Sequence, residues 1–335
     1  MRKLATVRRI SSIDPIPGAD AIEVATVGGW RVVVKKGEYT PGDLAVYCEI
    51  DSWIPTELAP FLSKGKEPRV YDGIPGERLR TVRLRGQISQ GLLLPYAVCG
   101  KICEEGEDVS ELLGIVKYDP PVNAQLAGMA KGPFPGVITK TDQERVQNLT
   151  VEIAAATEAG LQFEVTEKLE GSSMTCYLIN GEFGVCSRNL DLKDTADNTL
   201  WQVAHRDGIE AKMRAVDPHW SFAIQGELIG PGIQGNMYKL SKPEFRVFDV
   251  YDIQTGKYLP PAARHNLISR MFLLHAPLVA WSKDLGTGTV DEMLSWAEGK
   301  SVLNDKQERE GVVFKQMTGS MTFKIVSNQY LLGER

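Results

Sequence analysis

From residue 21 to about residue 95 the chain alternates apolar and polar positions in short β-branched runs, such as AIEVATV, WRVVVKKG and DLAVYCEI. Gly-Gly, Pro-Gly and Lys-Gly pairs punctuate these runs, the cadence of a small β-barrel or sandwich. The stretch 103–135 is acidic at first, then rich in Pro, Gly and Ala, and Pro120, Pro121, Pro133 and Pro135 block regular structure, so it reads as a linker or strap. After Thr141 the period lengthens. Val146, Leu149, Ile153 and Ala154 fall at helical spacing, with Thr141 or Asp142 placed to cap a helix and Gly160 to end it. Beyond it the pattern predicts strands near 163–167, 174–179, 183–188, 222–229, 245–253, 311–316 and 321–327, with helical patterns between several of them. The expected fold class is α+β: a β-rich domain over 1–105, a linker over 106–135 and an α+β domain over 136–335.

Composition agrees with two cores of unequal size, since 335 residues with 43% hydrophobic and 24% charged is ordinary globular usage. A net charge of -5 argues against a general coating of nucleic acid. The charge is uneven, however: residues 1–100 hold 14 Lys+Arg against 11 Asp+Glu, and the remainder 24 against 32, which makes the first part the electrostatic footprint for phosphates. The five cysteines are odd in number, and only Cys99 and Cys103 lie close together, so neither a zinc site nor a disulfide framework is expected and a reducing cytoplasm is the simplest home. The start of the chain lacks an apolar run of signal-peptide length. The most apolar candidate span, 271–281, is broken by His275 and Pro277 and is about half of the roughly twenty residues a bilayer demands, so it reads as a buried helix.

The segment FEVTEKLEGSSMTCYLINGEFGVCSRN carries the first chemistry. An alternating strand ends at Lys168, and Asn180-Gly181, a strong hairpin signal, folds the following strand back on itself. In the two-residue-loop register Ile179 faces Glu182 and Ser173 faces Arg188, which returns Arg188 toward Lys168. A lysine attacks phosphorus only as the neutral amine, so a nucleophilic one needs burial or nearby positive charge. An isolated lysine at a strand end is a solvated surface residue roughly nine times in ten.

With these residues in order, the chain resembles the covalent nucleotidyltransferases: DNA ligases, RNA ligases and mRNA capping enzymes. Their Lys-x-Asp-Gly signature is similar to Lys168-Leu169-Glu170-Gly171. The later motifs are matched by Arg188, by Glu227 in AIQGELIG, by Phe248-Asp249 in FRVFDVYDI, by Glu310-Gly311 in EGVVFK and by Lys324 in FKIV. The resemblance implies Lys168 as nucleophile and Arg188 and Phe248 as nucleotide contacts, although an aromatic in such a strand is by itself more often core. Glu170, Glu227 and Glu310 would offer hard oxygen ligands to Mg²⁺ or Mn²⁺, and Glu170 a nucleotide contact as well. Lys315 and Lys324 flank the turn Thr318-Gly319-Ser320, so antiparallel pairing brings them within about a register step, where they would neutralise charge on the α-phosphate. Lys324 lies between Phe323 and Ile325 and points off their apolar face.

DNA ligases and capping enzymes carry an OB domain after the last motif, whereas only 11 residues follow Lys324 here. A β-rich domain placed first is similar to the RNA ligase 5 group, whose N-terminal module is an OB fold. The resemblance extends through KLATVRRI, GGWRVVVKKGEYTPGD, ERLRTVRLRGQISQGLLLP and KTDQERVQN. It implies an OB-type β-barrel before an adenylating nucleotidyltransferase domain, and Arg145 as a phosphate or nucleotide contact, with Asn148 one turn along the same helix face. Arg78, Arg80, Arg83 and Arg85, with Gly86 beside them, read as part of a nucleic-acid groove. The implied activity is an ATP-dependent RNA ligase that seals 3′-OH/5′-phosphate nicks in a duplex with RNA on the 3′-OH side, through lysyl-AMP and an adenylylated 5′-end. It would act as a monomer away from membranes. The alternatives are a DNA ligase or other covalent nucleotidyltransferase, and a catalytically degenerate nucleic-acid-binding protein. Two departures stand out: Glu170 replaces the common Asp, and Val326 stands where a second lysine is frequent, so that duty falls to Lys315 or to none.

Overall fold

A computed structural model describes residues 2–119 and 128–333. They form two compact units, the first built from residues up to 119 together with 146–150 and 331–333, the second from 128–145 and 151–330.

In the first unit period-two alternation is used directly. Along Trp30–Lys35, Trp30, Val32 and Val34 are buried while Arg31 and Lys35 are exposed. This strand pairs with Ile22–Val27 across a Gly28-Gly29 turn, and Ser12–Pro15 completes a three-stranded sheet. A second sheet orders Ala5–Arg9, Leu44–Cys48 and Leu92–Pro95, and a third Val116–Lys117, Ser52–Pro55, Ile74–Arg78 and Arg69–Tyr71. Val109 and Ile115 are buried in an apolar cluster inside, so residues 106–119 of the expected linker are core and sheet of this unit. Their apolar positions are too isolated among acidic residues and glycines for periodicity to reveal them. Pro120 and Pro121 lie outside the described residues. Farther along the expected linker, Ala130–Pro133 is a strand of the second unit, paired with Leu190–Leu192.

The helix expected from Thr141 starts later. Glu144–Arg145 is a short strand, Val146–Asn148 a 3₁₀ turn, and the α-helix runs from Thr150 to Glu158 with Ile153 and Ala156 buried. Tertiary partners override the helical pattern at its start. The Gln147 backbone carbonyl accepts from Gly29 N–H at 3.0 Å, and Asn148 Oδ1 accepts from the buried Trp30 indole at 2.7 Å and from Arg8 at 3.1 Å.

The second unit holds two sheets. The larger runs Ala130–Pro133, Leu190–Leu192, Glu182–Cys186, Ser172–Ile179, Phe222–Ile229, Glu244–Asp252 and Lys257–Tyr258, with Leu274–His275 beside Glu244–Asp252. Helices Thr199–Arg206, Ile209–Val216 and Pro261–Arg270 supply Trp201, Met213 and Leu267 to its core. The smaller sheet orders Glu144–Arg145, Thr322–Val326, Gly311–Gln316, Phe163–Lys168 and Leu278–Lys283. All seven strands expected from alternation are present. The 271–281 segment is not a helix. The preceding helix ends at Arg270 with Met271 as its C-cap, Phe272 turns the chain with φ of 49°, and Leu274–His275 and Leu278–Lys283 are strands on either side of Pro277. Proline cannot donate within a helix, and strand partners were available on both sheets. Among the described residues no helix is long and apolar enough to cross a membrane. All five cysteines are free and buried.

Candidate active site

Strand register organises one face of the smaller sheet. Lys168 stands opposite Gly311, Thr166 opposite Val313 and Glu164 opposite Lys315; on the other side Val313 faces Lys324 and Lys315 faces Thr322. Opposed residues in an antiparallel pair share a face, so Lys168, Thr166, Val313, Lys315 and Lys324 look the same way. The other face is apolar: Phe163, Phe314 and Phe323 pack together, with Phe314 and Phe323 stacked at 4.9 Å. Phe323 and Ile325 therefore anchor the strand and aim Lys324 into the site, as alternation predicts. Lys315 and Lys324 are offset by one same-face step.

This face lines a pocket of about 240 Å³, shared with Arg188, Glu227, Phe248 and Asp142. Two close backbone approaches shape it. A Cβ on Gly311, whose φ is 155°, would collide with the Ile325 carbonyl, and one on Gly171 would collide with the Leu228 carbonyl and the Glu227 side chain. The first places Glu310 at the strand end, where its carboxylate meets Lys168 Nζ at 2.7 Å, their side chains 12% and 27% exposed. The Asn180-Gly181 turn has φ of 49° and 81° and pairs Ile179 with Glu182 as expected. The ladder stops at Thr175↔Cys186, short of Ser173 and Arg188, although both residues line the pocket. Ser173 pairs instead with Glu227 on the neighbouring strand.

Burial pushes the Glu227 carboxyl up to about 8 and Glu310 adds to the rise, against the pull of Lys168 and Arg188. A pair of carboxylates of which one resists ionisation fits a hard divalent cation, which would supply the missing positive charge; Glu227 and Glu310 are the residues that could hold it. Glu170 is the third ligand expected from the sequence. Glu170 N–H donates to Tyr238 Oη at 2.7 Å, and the pocket is lined by its neighbours Leu169 and Gly171. Among the described residues, the group of three acidic or histidine side chains with donor atoms within 4.8 Å is Glu164, His265 and His275.

The remaining expectations divide. Phe248 is half-buried, lines the pocket and also packs against the apolar cluster that contains Leu169 and Tyr238. Lys315 lines it too, but its Nζ donates to the Phe248 carbonyl at 2.6 Å and pairs with Asp249 at 2.6 Å. Arg145 is buried on a strand beside Lys324 and does not line the pocket. Asn148 belongs to the first unit and is engaged with Trp30 and Arg8, so it is a packing residue there, not one turn along a helix from Arg145. In the first unit Arg78 is tied to Asp51 at 2.6 Å and lies over Tyr118, whereas Arg80, Arg83 and Arg85 are exposed. Arg83 and Arg85 belong to a hairpin of Val82–Leu84 and Gln87–Ser89 whose turn is Arg85-Gly86.

Sequence reading misses Asp142, a helix cap by pattern alone, which lies 3.4 Å from Lys324 Nζ and 3.5 Å from Arg188. It also misses Thr166, although period two from Lys168 places that side chain on the same face.

Comparison with known proteins follows the same division. An OB-fold domain model matches residues 4–96 and an RNA ligase model residues 161–326. No curated protein matches the chain. Solved structures of Naegleria gruberi RNA ligase do: a mutant with ATP and Mn at TM-score 0.91 and a mutant with AMP and Mn at 0.91, each 44% identical over 98% of both chains. A third, with PPi, matches at TM-score 0.90 and 44% identity over 99% of this chain and 98% of that one. With an OB-fold domain before a nucleotidyltransferase domain and 44% identity over nearly its whole length, the chain belongs to the RNA ligase family.

Proposed function

We propose that this RNA ligase is ATP-dependent and seals 3′-OH/5′-phosphate nicks in a duplex, with RNA on the 3′-OH side. The observation that carries the reading is the Lys168 amine, paired with Glu310, in a pocket that also presents Glu227, Arg188, Lys324 and an aromatic ring. Lys168 Nζ attacks the ATP α-phosphorus, forming a P–N bond as the bond to the pyrophosphate oxygen breaks. Lysyl-AMP results, and the lysine gives up a proton. Glu310 orients the amine before attack, and Arg188 and Lys324 offset charge on the phosphate oxygens. Phe248 and Val313 would cover the base. When bound at Glu227 and Glu310, Mg²⁺ or Mn²⁺ would neutralise the triphosphate oxygens; the relatives with ATP or AMP were solved with Mn.

AMP then passes to the nick's 5′-phosphate, and the RNA 3′-OH attacks that phosphorus and releases AMP. Arg80, Arg83 and Arg85, exposed on the OB domain, are proposed contacts to the nucleic-acid backbone. Incubation with labelled ATP or GTP tests the first step, with the label expected on the protein from ATP and lost in Lys168→Ala. Label from GTP alone overturns it. Matched nicks that differ only in the sugar at the 3′-OH end test the second, and equal sealing rates would remove the RNA requirement.

A further inference from the structure

Glu164, His265 and His275 bring their donor atoms together like a metal-ligand set. A cation already stands among them. Arg264, 1% exposed on helix Pro261–Arg270, pairs with the fully buried Glu164, and its Nε–H donates to His275 Nε2 at 3.0 Å. The other nitrogen, Nδ1–H, donates to the Ala276 carbonyl at 2.8 Å, so both ring nitrogens are engaged and the imidazole is neutral. Burial and Arg264 accordingly push His275 down to about 3. Burial alone would raise the Glu164 carboxyl, but the His265 hydrogen bond and Arg264 hold it down to about 2. The guanidinium is the ion these groups serve.

Arg264 does not line the nucleotide pocket, yet it leads there in two steps. Its Nη1 lies 3.8 Å from Asp249 Oδ1, which pairs with Lys315 Nζ at 2.6 Å. Lys315 in turn donates to the Phe248 carbonyl at 2.6 Å and stands 5.5 Å from the centre of that ring. Lys315 is also opposite Glu164 in the strand ladder. Without Arg264, Lys315 would be left between two buried carboxylates, Glu164 and Asp249, and would be drawn from the Phe248 carbonyl toward the uncompensated charge.

We propose that Arg264 is a positioning residue for the nucleotide pocket: by neutralising Glu164 and Asp249 it reserves Lys315 for Phe248, and so sets the platform on which the base lies. This rests on the proposed role of Phe248 in covering the base. Lys315 then has a duty other than that of a second phosphate-binding lysine.

The test is the rate of enzyme–AMP formation against ATP concentration in the full chain. Arg264→Met is expected to raise half-saturating ATP about tenfold, the scale of one aromatic contact, while the maximal rate stays within about threefold. Lys315→Met is expected to do the same, and the double variant to be no worse than Lys315→Met, because Arg264 acts through it. Arg264→Lys, which keeps charge without the fork, should recover part of the loss. Unchanged half-saturation in Arg264→Met, or additive losses in the double variant, overturns the proposal. Should Arg264→Met fail to fold, Asp249→Asn cuts the same link, and half-saturation unaltered in that variant also overturns it. A labelled wild type with indifferent variants sinks this inference alone, whereas an unlabelled wild type sinks the ATP-dependent reading with it.

Discussion

Lys168 and Lys315 share one face of one sheet, and each is paired with a carboxylate, but only the first can be parted from its partner cheaply. The Lys168–Glu310 pair is 27% and 12% exposed and opens on the pocket; the Lys315–Asp249 pair is 5% and 6% exposed. Water or a phosphate can replace Glu310 beside Lys168, and a cation can replace Lys168 beside Glu310. Lys315 is held more deeply: burial pushes its pKa down to about 8, with Asp249 holding it up and Arg264 adding to the fall. The difference teaches where chemistry and where positioning belong: an ion pair at a pocket wall is exchangeable, while one inside is a fixed part of the scaffold.

The largest effect expected is at the exchangeable end. Lys168→Ala should reduce protein labelling by more than about ten-thousandfold while costing less than about 1 kcal/mol in denaturant unfolding. A variant that labels at even a tenth of the wild-type rate would move the nucleophile elsewhere. At the fixed end the balance reverses: Glu164→Gln removes the buried carboxylate that Arg264 pairs with and should cost about 3 kcal/mol of stability. Equal stability losses for the two variants would erase the contrast between the two ends.

Glu227→Gln and Glu310→Gln should each slow labelling about a hundredfold, the scale of one electrostatic group. Chelation of divalent metal should slow the wild type as much, and Mn²⁺ or Mg²⁺ should restore only the wild type. Smaller is a pH effect. The folded Glu164 carboxyl is held at about 2 against a usual 4.5, so its stabilising contribution is complete above about 4.5 and lost as pH falls toward 2. Wild-type and Glu164→Gln unfolding free energies should therefore converge below pH 4.5, and curves that stay parallel would remove the pair from the acid response. The smallest effect is expected far from both lysines: Arg83→Ala or Arg85→Ala should lower the salt slope of nucleic-acid binding by about one each, with lysyl-AMP formation unchanged.

The amino-acid sequence by itself determined the strands of the nucleotidyltransferase domain, the Asn180-Gly181 hairpin and the direction of Lys324. Each is a local consequence of alternation or turn chemistry, readable over a few residues. The order of the motifs around Lys168 was equally legible. Tertiary structure alone decided that Asn148 binds Trp30, that 271–281 splits into strands, and that residues 106–119 join the core of the first unit. It also decided that Arg264 meets Glu164, 100 residues away in sequence. Periodicity tells a side chain which face it is on. Which buried charges then neutralise one another depends on which distant elements pair, and no local pattern carries that information.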